Sequence, residues 1–117
     1  MRILMLASTL LLAFMVSTAA RAHAFLDHAE PRVGSTTPAA PREVVLFFSQ
    51  TLEPAFSSIE VSDAKGARVD QGKPQVSATT MRVGLKSLPP GAYRVHWEVL
   101  SADTHKTEGN FTFHVGP

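Results

Sequence analysis

An antiparallel β-sandwich or barrel is the fold class this sequence predicts, and three observations carry the prediction. From residue 23 onward, short apolar runs alternate with polar residues at period two. Clusters of Pro, Gly, Asp and Ser interrupt these runs at intervals of roughly 8–12 residues. No stretch of that region carries the spacing of a long amphipathic helix.

The first element is not part of that pattern. Residues 1–22 open with Arg2, continue through an apolar stretch from Ile3 to Val16 and close on Ala20-Arg21-Ala22, the small-x-small pattern of a signal-peptide cleavage site. The apolar stretch is shorter than the roughly 18–20 residues a spanning helix needs. A cleaved leader over 1–22 and one domain over 23–117 is the expected organisation. A domain of that size buries about two-thirds of the surface its unfolded chain exposes, enough for one core.

The expected strands are 24–28, 43–49, 57–62, 67–69, 80–85, 92–100 and 110–115. Between them stand Pro31 with Gly34, Pro38 with Pro41, Asp63 to Gly66, Gly72 to Pro74, and Pro89-Pro90-Gly91, all turn signals. Within 92–100, Tyr93, Val95, Trp97 and Val99 share one face and Arg94, His96 and Glu98 the other. The first set is core. Phe111, Phe113 and Val115 make a second inward row, leaving Thr112 and His114 outward; Met81, Val83 and Leu85 make a third, and Ile59 with Val61 a fourth. The run Val44-Val45-Leu46-Phe47-Phe48 is apolar on both faces, as in a strand covered on both sides or partly capped by the loop that follows it.

Composition narrows the chemistry. Eleven basic and ten acidic residues give the chain a formal charge of +1. The leader holds two of the bases, Arg2 and Arg21, and none of the acids, so 23–117 is near neutral. That balance makes no electrostatic case for a nucleic-acid partner or an anionic membrane surface. With no cysteine in the chain, disulfides, thiolate metal clusters and cysteine catalysis are all excluded.

Cleavage after Ala22 makes His23 the first residue. A histidine there carries a free α-amine and an imidazole, and the amine nitrogen with Nδ1 closes a chelate ring on a divalent metal. Late in the chain, Ser101-Ala102-Asp103-Thr104-His105 places a carboxylate and an imidazole two residues apart, on one side of an extended segment. Three nitrogens and one oxygen suit one tetragonal Cu(II) ion better than tetrahedral Zn(II) or an oxygen-only Ca(II) or Mg(II) site. An Asp-x-His pair also arises by chance, with Asp103 capping a turn and His105 solvated. The coincidence with an N-terminal histidine favours the metal. His28 is read as a surface residue or a neighbour of the site, His96 and His114 as solvated. Met81, the one methionine after the leader, is assigned to the core, which leaves no soft donors for Cu(I).

His23-Ala24-Phe25-Leu26-Asp27-His28-Ala29-Glu30-Pro31, Leu46-Phe47-Phe48-Ser49-Gln50, Pro90-Gly91-Ala92-Tyr93-Arg94-Val95-His96-Trp97, and Ser101 to His105 followed by Gly109-Asn110-Phe111-Thr112-Phe113 resemble the CopC/YobA copper-binding proteins of the bacterial periplasm. The likeness covers essentially all of 23–117. It implies a seven-stranded Greek-key barrel or sandwich of immunoglobulin-like type and a Cu(II) site on His23, Asp103 and His105; no enzymatic activity is expected, since Asp103 fills a position that oxygen chemistry on copper would need open. It further implies a role in copper resistance or homeostasis through sequestration or delivery, beside a CopD-type inner-membrane protein. Two departures stand out. No Met- and His-rich segment lies between Ser57 and Met81, and Gln50 stands where several relatives have Glu, with Glu53 the nearest substitute. Two rivals remain at this point: a small copper redox enzyme built on an N-terminal histidine, and an immunoglobulin-like assembly module whose histidines are incidental.

Overall fold

In the computed structural model, which describes residues 24–117, eight strands form two four-stranded sheets. The strands are β1 (Leu26–Glu30), β2 (Thr36–Thr37), β3 (Glu43–Phe48), β4 (Ser58–Asp63), β5 (Asp70–Ser77), β6 (Thr80–Leu85), β7 (Gly91–Leu100) and β8 (Lys106–Val115), with one 3-10 turn at Pro54–Phe56. One sheet runs β1-β3-β6-β5 and the other β2-β8-β7-β4. No ladder joins the two among the described residues, so the expected all-β fold takes its sandwich form, without barrel closure. The expected cleavage point and His23 lie outside the described residues.

The inward rows read from the alternation are the core. Tyr93, Val95, Trp97 and Val99 of β7, Phe111, Phe113 and Val115 of β8, Met81, Val83 and Leu85 of β6, and Ile59 and Val61 of β4 are all buried. Phe48 of β3 meets Trp97 of β7 edge-on at 5.1 Å and 75°, joining the two sheets through their aromatic rings. Val44, Leu46 and Phe48 point inward from β3, while Val45 and Phe47 point out. The outward pair is covered by long side chains: the His28 ring lies flat on Phe47 at 4.1 Å and 6°, and Val45 sits opposite Glu30 and Arg82.

Three expectations about strands need correction. The segment 67–69 is not assigned as a strand; it lies along β4, with one bridge between Arg68 and Ser62 and backbone bonds from Asp63 N to Ala67 O at 2.9 Å and from Val69 N to Val61 O at 2.8 Å. The strand lies later, at Asp70–Ser77, and it contains Gly72 and Pro74, which read as a turn. β5 is the edge of its sheet, where a proline costs no ladder bond, and its pairing with β6 slips between Gln71 and Gln75, where Gly72 takes a φ of +76°. The last strand begins at Lys106, four residues before the expected start at 110. The eighth strand, β2, is two residues pairing parallel to β8, too short to leave a periodic trace.

Candidate metal centre

β7 and β8 form the longest hairpin of the fold, in register from Gly91 opposite Val115 to Leu100 opposite Lys106. The turn that joins them carries Asp103 and His105. It is tight and not extended: Thr104 N donates to Ser101 O at 2.9 Å, Ser101 N donates to His105 O at 3.0 Å, and Thr104 takes a φ of +72°. The two side chains come together because the chain reverses between them. They are about half exposed, and Oδ2 of Asp103 stands 3.2 Å from Nδ1 of His105.

The turn is fixed from below. Ser101 is the one buried polar residue among those described, and its hydroxyl donates to Oδ1 of Asp103 while lying 3.1 Å from the His105 carbonyl. This hydroxyl is the main reason the Asp103 carboxyl is held below the usual carboxylate range; partial burial opposes it and His105 adds to it. Asp103 is therefore an anion at neutral pH. From the side, Ala102 N donates to Thr51 O at 2.9 Å and Glu53 N to Leu100 O at 2.8 Å, tying the turn to the segment after β3.

The start of the described chain is bound to the same region. Ala24 is buried and its carbonyl accepts from the hydroxyl of Thr107, two residues beyond His105, at 2.8 Å. Phe25 N donates to Ser49 Oγ and Ser49 N returns a bond to Phe25 O, both 2.9 Å. Residues 24–25 are thus held between the end of β3 and the start of β8, some eighty positions away in sequence.

Two donors cis on one metal ion with bonds of about 2.0–2.2 Å stand about 3 Å apart. The 3.2 Å between the Asp103 oxygen and the His105 nitrogen fits that spacing without rearrangement. Other residues weighed from sequence are placed elsewhere or otherwise engaged. His28 is stacked on Phe47, with Nδ1 3.2 Å from Asp27 Oδ2. Glu53 is half-buried ahead of the 3-10 turn, where its carbonyl accepts from Ser57 Oγ, and Gln50 is half-buried in the bend after β3. His114 is exposed on β8 beside Thr36. Two residues of the site escaped the sequence reading. Ser101, two before Asp103, has a recognisable signal in the short Ser-x-Asp spacing that lets a hydroxyl reach a carboxylate. Thr107, bonding across 83 positions, has none.

Comparison with known proteins fits this architecture. The sequence model of the CopC domain matches residues 26–116. The chain belongs to the CopC domain family. It is 33% identical over 122 residues to protein YobA of Escherichia coli, covering 97% of this chain and 95% of YobA. Among solved structures, CopC from Methylosinus trichosporium OB3b superposes with a TM-score of 0.76 at 34% identity, covering 81% of this chain and 95% of that one. PcoC from Escherichia coli, described as a methionine-rich copper resistance protein, superposes with a TM-score of 0.70 at 34% identity, over 80% of this chain and 99% of PcoC. Against that methionine-rich CopC relative, Met81 here is fully buried and is the one methionine among the described residues.

Proposed function

We propose that this CopC-family chain is an exported copper-homeostasis protein that holds one Cu(II) ion through the α-amine and Nδ1 of His23, the carboxylate of Asp103 and the imidazole of His105. The observation that carries the reading is the 3.2 Å approach of the Asp103 oxygen to the His105 nitrogen, on a turn tied through Thr107 to the residue that follows His23. An ionised carboxylate and imidazole nitrogen suit Cu(II), and a buried Met81 offers no soft donor for Cu(I). The names of the copper-resistance relatives support the same cargo.

Binding, and not turnover, is the proposed activity, because Asp103 fills a position that oxygen chemistry on copper would need open. The protein sequesters or delivers copper in the periplasm, in the neighbourhood of a CopD-type membrane protein. Among the described residues no helix is long and apolar enough to cross a membrane.

The test is N-terminal sequencing of the exported protein together with a Cu(II) titration of the same sample. The expected first residue is His23, with one tightly held Cu(II). A single extra residue before His23 destroys the amine chelate and weakens binding by orders of magnitude. His105→Ala changes the electron paramagnetic resonance spectrum, and His114→Ala leaves it as it is. Equal affinity in the extended form would sink the reading, and no tight copper binding at all would favour an assembly module.

A further inference from the structure

A second group of donors lies on the same hairpin, away from the turn. Glu98 of β7 and Glu108 of β8 are direct partners across the ladder, and His96, two residues along β7, shares their outward side opposite Asn110. One donor atom from each of His96, Glu98 and Glu108 lies within 4.8 Å of the other two. All three stand on long strands in unbroken register, a rigid platform.

The histidine is oriented by a partner outside the trio. Its Nδ1 is 2.9 Å from Oδ1 of Asn110. An amide oxygen only accepts, so Nδ1 carries the proton, and the other ring nitrogen, Nε2, faces Glu98 Oε1 at 3.6 Å. A ring held at one nitrogen by an oxygen acceptor, with the other turned toward anionic oxygens, is how metal-binding imidazoles are aimed. The carboxylates add a second sign. Glu98 and Glu108 face each other directly across the antiparallel pair, and Lys106 Nζ, 3.6 Å from Glu98 Oε2, meets only one of the two.

We infer that His96, Glu98 and Glu108 form a second cation site on the outer face of the β7–β8 hairpin, for a divalent first-row transition ion bound by Nε2 and two carboxylate oxygens. The imidazole selects Cu(II) or Zn(II) over Ca(II) and Mg(II). Donors around such an ion stand about 3 Å apart when cis and about 4.3 Å when trans, so the glutamate side chains must draw in toward the ion, a movement within reach of their rotamers. Lys106 is the competitor, holding Glu98 when no metal is bound and turning to solvent when one enters. The site shares no residue with the turn and does not rest on the function proposed above.

The test uses His23→Ala/Asp103→Asn/His105→Ala protein, in which the side-chain donors proposed above are removed. One equivalent of Cu(II) should broaden the amide resonances of residues 96–98 and 108–110, and adding His96→Gln or Glu108→Gln should abolish that broadening. In a Zn(II) titration of the same background, Glu108→Gln should weaken binding about tenfold or more. Lys106→Gln should tighten it by up to about fivefold, because the competing cation is gone. Glu108→Gln should also leave the metal-free protein at least as heat-stable as its parent, with the Zn(II)-induced rise in melting temperature lost. Broadening centred on His28 or His114, or broadening that survives His96→Gln and Glu108→Gln, would overturn the inference. If wild-type protein lost its copper signal to His96→Gln but kept it in His23→Ala/Asp103→Asn/His105→Ala, the function proposed for the turn would fail while this site stood.

Discussion

The buried hydroxyl of Ser101 donates to one oxygen of Asp103, and the other oxygen of Asp103 stands 3.2 Å from Nδ1 of His105. A neutral residue under the turn thus sets the rotation of an exposed carboxylate. Ser101→Ala should lower Cu(II) affinity about 10–100-fold, the range typical of losing a partner that orients a metal ligand. The fold should survive, because the turn's bonds from Ser101 N and Thr104 N do not use the hydroxyl. Competitive Cu(II) titration with circular dichroism as a fold control measures this. Parental affinity would show that Asp103 needs no such support.

Phe113 has no solvent exposure, and its ring lies 5.5 Å from that of its cross-strand partner Tyr93. Removing it leaves a cavity that two sheets cannot both close over. Phe113→Ala should cost about 3–5 kcal/mol in denaturant unfolding. A nearly unchanged midpoint would place the ring outside the core.

Asp70 anchors the start of β5 from a side chain only 8% exposed. Its burial alone would raise the carboxyl pKa, but Arg68, which grips both oxygens at 2.7 Å, and Val61 N, which donates at 2.8 Å, outweigh it and hold the group below its ordinary value. An unfolded Asp titrates near about 3.9. The native state therefore keeps the charge to lower pH, so the stabilisation is complete above that value and drains away as pH falls through the native pKa. Unfolding free energies between neutral pH and pH 2.5 should show an acid limb that Asp70→Asn makes shallower. An identical limb in the variant would mean that Asp70 titrates alike in both states.

Much of the fold was legible because period two survives wherever one strand face is buried. Tyr93 to Val99, Phe111 to Val115 and Met81 to Leu85 each announce their inward side. The misplaced strand at 67–69 shows the limit. Gly72 and Pro74 carry the chemistry of a turn, and only the position of β5 at a sheet edge, a tertiary fact, lets them lie within a strand. At the candidate site, Asp103 and His105 were readable as a pair, but for the wrong local reason: the turn through Thr104 brings them together, not an extended backbone. The Thr107 bond to Ala24 and the Glu98–Glu108 pairing depend on strand register, which no local pattern encodes.

Gly109 accounts for the late start expected for the last strand, because a glycine normally weakens a strand interior. It stands directly opposite Trp97, and a Cβ there would lie 2.5 Å from Cζ2 and 2.8 Å from Cε2 of the indole. The ring occupies the space a side chain would need and cannot retreat freely, since Phe48 packs against it from the other sheet. Gly to Ala at an unhindered site gains about 0.4–1 kcal/mol by restricting the unfolded chain. Here overpacking should reverse the sign, and Gly109→Ala should cost about 1–3 kcal/mol. The single tryptophan makes the readout direct, because its fluorescence reports both the unfolding midpoint and any displacement of the ring in the native state. Trp97→Phe in the Gly109→Ala background, followed by circular dichroism because the fluorophore is gone, should recover part of the loss, as a smaller ring vacates the position of Cζ2. A Gly109→Ala protein as stable as its parent, with unaltered emission, would mean that the indole does not hold this strand to glycine.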